Sequence, residues 1–256
     1  MFKNRTDAGK KLAVAIKKYK DHNVLVLAIP RGGVEVGYQV AEYLNADFSI
    51  LISRKLPFPD DPEAGFGAIA EDGSTFIFND AALWLSGEQI DHIKQEQINE
   101  INRRIAVLRK GKALPEMAGR TVILVDDGLA MGSTMRAAIM LCRKRETGKI
   151  VVAVPVAGRR VADGMALIAD ELAVLETPRN FMAVAQVYEN WYDVPDTEVL
   201  DILSREKSNC MVQCYISNAS QSGPSAELLF LSAFFNLYEP EGKEYDNVYD
   251  NSCNQK

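Results

Sequence analysis

The stretch from Val122 to Thr134 restricts this chain more than any other. Val122, Ile123, Leu124 and Val125 form an apolar, mostly β-branched run that reads as a strand buried on both faces of a parallel sheet. Asp126 and Asp127 follow where that strand should end, which places both carboxylates at the carboxyl edge of the sheet, where open α/β sheets bind ligands. Gly128, Leu129, Ala130, Met131, Gly132, Ser133 and Thr134 then lead into a helix-forming run from Met135 to Arg145. Such a loop suits a phosphate. Glycines allow the backbone to come close, helix N-terminal amides meet negative charge, and Ser133 and Thr134 add hydroxyl donors. The two acids would repel a phosphate, so their targets are sugar hydroxyls or a hard divalent cation.

Strand, glycine turn and helix recur earlier in the chain. Val24 to Ile29 is a buried-strand run that stops at Pro30, Arg31, Gly32 and Gly33, and Val34 to Leu44 has helical periodicity. Taken alone, one Arg and two Gly after a strand read equally well as a plain turn. Phe48 to Ser53 is a further strand that ends in Arg54 and Lys55. The Pro-, Asp- and Gly-rich segment Leu56 to Gly73 behind it reads as a mobile loop.

These motifs together resemble the phosphoribosyl pyrophosphate signature of the type I phosphoribosyltransferases, and in particular one poorly characterised bacterial group of them. The resemblance covers residues 1 to 203. It implies an α/β doubly wound fold, a parallel sheet with helices on both faces, and a small C-terminal hood over about 177–203. Asp126 and Asp127 would hold the ribose hydroxyls, and Gly128 to Thr134 the 5′-phosphate, with Met131 standing where relatives often carry Thr. Arg31, Gly32 and Gly33 match the pyrophosphate loop in residue type and in order along the chain. Relatives often carry a cis peptide there. Arg54 and Lys55 match the basic root of the loop that closes over the reacting centre; Glu63, Glu71 and Asp72 carry weaker claims.

The implied activity is Mg²⁺-dependent transfer of a phosphoribosyl group from phosphoribosyl pyrophosphate to a nitrogen acceptor, a nucleobase, with release of pyrophosphate. No protein residue would bind the Mg²⁺ directly: ligand and water hold it. Asp126, Asp127, Arg31 and Lys55 would carry the catalysis, in a homodimer serving nucleotide metabolism. Ala130 replaces an Asp that oxopurine-type relatives use, which points to an aminopurine. The rival reading is a non-catalytic regulator that keeps the fold and binds phosphoribosyl pyrophosphate or a nucleotide as effector.

Composition narrows these options. A net charge of -6 and a pI near 5.1 argue against a general nucleic-acid binder, which would carry a basic face. Met1 to Lys11 has no apolar segment of the signal-peptide kind, and the longest late apolar run, Leu228 to Phe235, is too short to span a bilayer, so a cytoplasmic protein is expected. Four cysteines without metal-ligand spacing read as reduced thiols.

The remaining rhythm is βαβ. Asp7 to Tyr19 and Ser86 to Lys110 read as amphipathic helices, the second with Ile90, Ile93, Ile101, Ile105 and Leu108 on a stripe that suits core or dimer contact. Thr75 to Asn79 is a short strand able to pair with the loop region. Ile150 to Val154 and Leu172 to Leu175 are strands on either side of a helix, Arg159 to Ile168, and strands alternating with helices imply right-handed crossovers. Phe181, Tyr188, Trp191 and Tyr192 lie in the hood, where Tyr188 and Trp191 are candidates to stack on a flat base. From residue 204 to 256 the rhythm stops, and this tail has no counterpart in the resembled family.

Overall fold

The computed structural model describes residues 1–205. Leu228 to Phe235, the late cysteines and the tail from 206 onward, all subjects of sequence-based expectations, lie outside the described residues. Strands β1 (Val24–Ala28), β2 (Asp47–Ile50), β6 (Thr121–Val125), β7 (Lys149–Val156) and β8 (Glu171–Glu176) form one sheet, ordered β2-β1-β6-β7-β8 and parallel throughout. Because side chains alternate along a strand, this sheet feeds two cores. Val26, Ala28, Ile123 and Val125 face helices α1 (Arg5–Ala15) and α2 (Gly32–Leu44). Leu25, Leu27, Val122 and Leu124 face α5 (Ser133–Lys144) and α6 (Arg159–Ala166). The doubly wound α/β class expected from the sequence is the observed one.

The departure lies between β2 and β6. Strands β3 (Ser53–Pro57), β4 (Gly65–Ala70) and β5 (Thr75–Ile77) make a separate antiparallel sheet, ordered β3-β4-β5. Helix α3 (Asn79–Ala82) follows it, and then α4 (Gly87–Leu108), whose N-terminus Ser86 and Gln89 close as a capping box. Phe66 and Ile69 join Ile93 and Ile101 of α4 in one core, while Ala68 and Ala70 join the core under α5. The stripe on α4 is therefore core.

Two expectations need correcting. The strand read over Phe48 to Ser53 ends at Ile50, and Ser53 opens a different sheet; Ile50, Leu51 and Ile52 are all fully buried, so hydrophobicity runs through the crossing without a mark. The loop read over Leu56 to Gly73 is reduced to residues 58–64 and the turn at 71–73, because Gly65 to Ala70 is a strand with every residue buried. Its glycines answer to packing. A Cβ on Gly67 would lie 2.2 Å from the Phe76 carbonyl oxygen across the hairpin. Glu71 and Asp72 have structural work: Glu71 pairs inside the protein with Arg109, whose guanidinium also donates to the Ile50 carbonyl at 3.1 Å, and Asp72 accepts from Ser74 and pairs with Lys144 at 3.2 Å.

An ion-pair cluster ties the far edge of the main sheet to the 3₁₀ turn Lys17–Tyr19 that follows the first helix. Glu171 on β8 receives the Tyr19 hydroxyl at 2.6 Å, Lys18 at 2.7 Å and Lys149 at 3.0 Å. Burial raises its pKa, but these three donors outweigh burial and bring it down to about 2. A depressed carboxylate contributes stability above its unfolded pKa and loses it as pH falls through the folded one. Glu171→Gln is therefore expected to cost about 1–2 kcal/mol at neutral pH after solvent screening, and the gap to wild type should close as pH falls from about 4.5 towards 2. Urea titrations across that range check this; a gap independent of pH would show that charge is not the cause.

Candidate active site

Strands β1 and β6 lie side by side in parallel register, Ala28 beside Val125, so the loops that follow them open at the same edge. The chain leaves β1 towards β2 and leaves β6 towards β7, in opposite directions, which makes this edge a topological switch point with a crevice between the two loops. After β1, the Ile29 amide donates to the Val125 carbonyl at 2.8 Å, the Pro30–Arg31 peptide is cis, and Arg31 stands at the N-cap of α2. Gly32 and Gly33 then pass directly over the acids. A Cβ on Gly32 would fall 1.8 Å from Asp127 Oδ2, and one on Gly33 would fall 2.9 Å from Asp126 Cα. Only glycine allows that approach.

The acids are held in place and partly buried. Asp126 Oδ1 accepts the Asp127 backbone N–H at 2.9 Å, and Asp127 Oδ2 accepts Arg5 Nε at 2.9 Å. Burial raises the pKa of Asp126 well above the ordinary carboxylate value, and the neighbouring Asp127 charge adds to the rise. Burial raises Asp127 as well, but there Arg5 opposes it. The two carboxyls titrate as a pair above the ordinary carboxylate range, and Arg5 favours the ionised form on the Asp127 side.

The loop after β6 divides into two kinds of position. Leu129 is 1% exposed, and its backbone N–H donates to the Val156 carbonyl at 2.9 Å, so its side chain packs in the core and can reach no ligand. Gly128 is closed in by Val156 and Val184. Ala130 and Met131 face solvent, Met131 at 54% exposure, so its bulk points away from the packed interior. Gly132 takes φ +73°, a left-handed turn that carries the chain into α5. Since Gly132 has no side chain with which to cap, the first amides of α5 at Ser133, Thr134 and Met135 are left for an anion. Ser53 Oγ donates to the Thr134 carbonyl at 3.2 Å and anchors the small sheet beside this helix start.

The basic residues are spread more widely than expected. Arg31 is half-buried, with Asp196 Oδ1 3.8 Å away. Arg54 donates from Nε to Gln97 at 3.1 Å; burial lowers its pKa, and Arg104 and Arg31 are among the cations that lower it further. The Lys55 ammonium is engaged within its own hairpin, on the Glu63 carbonyl at 2.6 Å. The structure thus brings Arg31, Gly32, Gly33, Asp126 and Asp127 together and sets Gly128 to Thr134 beside them. The hydrogen bonds of Arg54 and Lys55 go instead to Gln97 and Glu63.

Arg5 is the residue that the sequence reading missed. Its side chain is 4% exposed, although by sequence it is one charge among several in a polar N-terminus. A signal was present: Arg5 extends the buried stripe Ala8, Gly9, Leu12 and Ala13 of α1 by one turn, and a cation on an apolar stripe needs a buried partner. Tyr188, read as a candidate base contact, is 6% exposed; its hydroxyl donates to the Asp127 carbonyl at 2.7 Å and its ring packs on Phe2 and Trp191. It pins the acid loop and offers no free face.

A family model described as the phosphoribosyl transferase domain matches residues 3–188. This chain belongs to that family. Two Mycobacterium tuberculosis proteins, from strains CDC 1551 / Oshkosh and ATCC 25618 / H37Rv and provisionally named phosphoribosyl transferases, are each 38% identical to it over 207 residues. The match takes in 80% of this chain and 47% of theirs, so the chain spans about half the length of the curated relatives it matches. The crystal structure of TT1426 from Thermus thermophilus aligns with a TM-score of 0.68 at 32% identity, over 79% of this chain and 97% of that one. The family match contains all the positions of this phosphoribosyl transferase domain at which phosphate, ribose and pyrophosphate contacts were expected.

Proposed function

We propose that the crevice between the β1 and β6 loops binds phosphoribosyl pyrophosphate and transfers its phosphoribosyl group to a nitrogen acceptor, with departure of pyrophosphate. The observation that carries this reading is the seating of Gly32 on Asp127, where a Cβ would lie 1.8 Å from the carboxylate. A glycine turn that close to an acid pair sets a pyrophosphate-binding backbone directly beside a hydroxyl-binding one. The uncapped start of α5 receives the 5′-phosphate, and Asp127 and Asp126 engage the vicinal hydroxyls. Arg31 and Arg54 neutralise charge on the departing group.

The reacting sugar gains cationic character as pyrophosphate leaves. The chain's part is then to hold the donor, balance charge and exclude water, and it needs no protein nucleophile. Among the described residues no cluster of three or more His, Cys, Asp or Glu forms a metal site. Two partly buried carboxylates fit a Mg²⁺ ion brought in on the donor, since Mg²⁺ is commonly held by substrate phosphates and water with few protein ligands. When bound, it would supply charge neutralisation on the pyrophosphate oxygens.

For the acceptor we propose a nucleobase, with an aminopurine preferred to an oxopurine, because Ala130 offers no carboxylate to the ring. Calorimetry with phosphoribosyl pyrophosphate and Mg²⁺ is expected to give saturable binding. Pyrophosphate release is then scored with adenine, guanine, hypoxanthine, xanthine, uracil and orotate. Absence of binding at millimolar donor would remove the donor site. Faster release with guanine or hypoxanthine would remove the aminopurine preference, and tight donor binding without any release would point to a regulator.

A further inference from the structure

We propose that Arg5 is a positioning residue of the donor site: it braces the Asp127 carboxylate from behind and ties it to the aromatic arch formed by Trp191 and Tyr192. This rests on the donor-site reading above, and it assigns a role to a residue outside every motif that led to that reading. Three contacts hold the guanidinium. Nε meets Asp127 Oδ2 at 2.9 Å, one terminal nitrogen donates to the Tyr192 carbonyl at 2.9 Å, and the group lies 4.0 Å from the centre of the Trp191 ring. A fourth neighbour is the pyrophosphate turn itself, since a Cβ on Gly32 would come within 3.0 Å of Arg5 Nε. Arg5 is thus the meeting point of the first helix, the glycine turn, the acid pair and the chain that follows Tyr188.

The geometry requires an arginine. A planar fork can give one donor to a carboxylate and another to a carbonyl while its face stacks on an indole; an ammonium is a point charge with no such face. The bracing also acts before any ligand arrives. A carboxylate at the floor of a crevice can turn about its side-chain bonds unless it is fixed, and a hydroxyl acceptor that is already aimed loses less freedom when the sugar binds. Arg5 fixes one oxygen of Asp127, and Tyr188 fixes the backbone carbonyl of the same residue. Because the guanidinium is stacked on Trp191, displacement of Asp127 by a ligand is transmitted to that indole.

The chain contains two tryptophans, and Trp84 is 83% exposed, so Trp84→Phe leaves Trp191 as the sole indole reporter at little structural cost. In the full-length Trp84→Phe protein, phosphoribosyl pyrophosphate with Mg²⁺ should change Trp191 fluorescence saturably. Adding Arg5→Ala should weaken donor affinity by about 10²-fold, the loss expected for one buried charged hydrogen-bonding group, with KM for the donor rising more than kcat falls. Millimolar guanidinium ion should restore part of that affinity, while sodium at equal ionic strength should not, and Arg5→Lys should recover less than free guanidinium does. Donor binding by Arg5→Ala within twofold of its parent overturns the proposal. So does a loss that guanidinium cannot relieve and that tracks a fall in Tm, since that is what a purely structural side chain would give. A Trp84→Phe parent that binds no donor by calorimetry removes the donor-site reading itself, and the role of Arg5 with it. A parent that binds normally beside an indifferent Arg5→Ala removes Arg5 alone.

Discussion

Replacing Asp126 and Asp127 together with Asn is expected to eliminate the heat of phosphoribosyl pyrophosphate binding while leaving the chain folded. Each acid lost as a charged partner for a ribose hydroxyl should cost about 1.5–3 kcal/mol, so the pair should lower affinity by at least about 10²-fold. The fold should survive because the asparagines keep the internal contacts: an amide oxygen at 126 can accept the 127 backbone N–H, and one at 127 can accept Arg5 Nε. The sign of the stability change follows from the direction of the shifts. Both carboxyls titrate above their ordinary value in the folded chain, chiefly through burial, so ionising them costs stability as pH rises above the unfolded value. The double Asn variant escapes that cost. Its Tm should fall less steeply than that of wild type between acid and neutral pH, and it should be no less stable at neutral pH. Calorimetry and thermal scans on the same samples decide it; retained donor binding would exclude the acids from the site.

What the sequence made legible was whatever its short-range pattern could encode. The runs at Val24 and Val122 are continuous because both faces of those strands are covered, and each ends on residues that cannot continue a buried strand: a proline and a glycine pair in one case, two acids in the other. That was enough to locate the crevice. The reading failed where one physical cause produces two patterns. Glycine marks a turn and also marks close backbone approach, and at Gly65 and Gly67 it was the second. Apolar residues mark a strand and also a buried crossing, and Ile50 to Ile52 is a crossing. Lys55 is near the site in sequence pattern, but the small sheet turns it onto Glu63. The helical stripe marks Arg5 as a buried cation, but its partner lies 122 positions away, and no local periodicity can name it.

The seating of Gly32 can be tested apart from any ligand. Gly32→Ala should destabilise the chain by about 1–3 kcal/mol, the usual cost of overpacking, because the new methyl would sit 1.8 Å from Asp127 Oδ2 and 2.6 Å from its Cγ. The side chain cannot simply withdraw, since Arg5 Nε holds that same oxygen and Tyr188 holds the backbone of Asp127. Nor is backbone strain the cause, because Gly32 lies outside the left-handed region and begins a helix, where alanine would otherwise be favoured. Truncating Asp127 removes the two shortest contacts and leaves the 3.0 Å approach to Arg5 Nε. The cost should therefore fall without vanishing in an Asp127→Ala background, giving a coupling energy of at least about 1 kcal/mol by urea unfolding of the four proteins in the cycle. Gly33→Ala is the matched control. Its methyl would meet the Asp126 backbone at 2.9 Å, which truncating Asp127 does not move, so its cost should be the same in both backgrounds. An equal cost for Gly32→Ala in the two backgrounds would mean that the turn and the acid are not in contact, and the crevice would lose the juxtaposition on which a donor site depends.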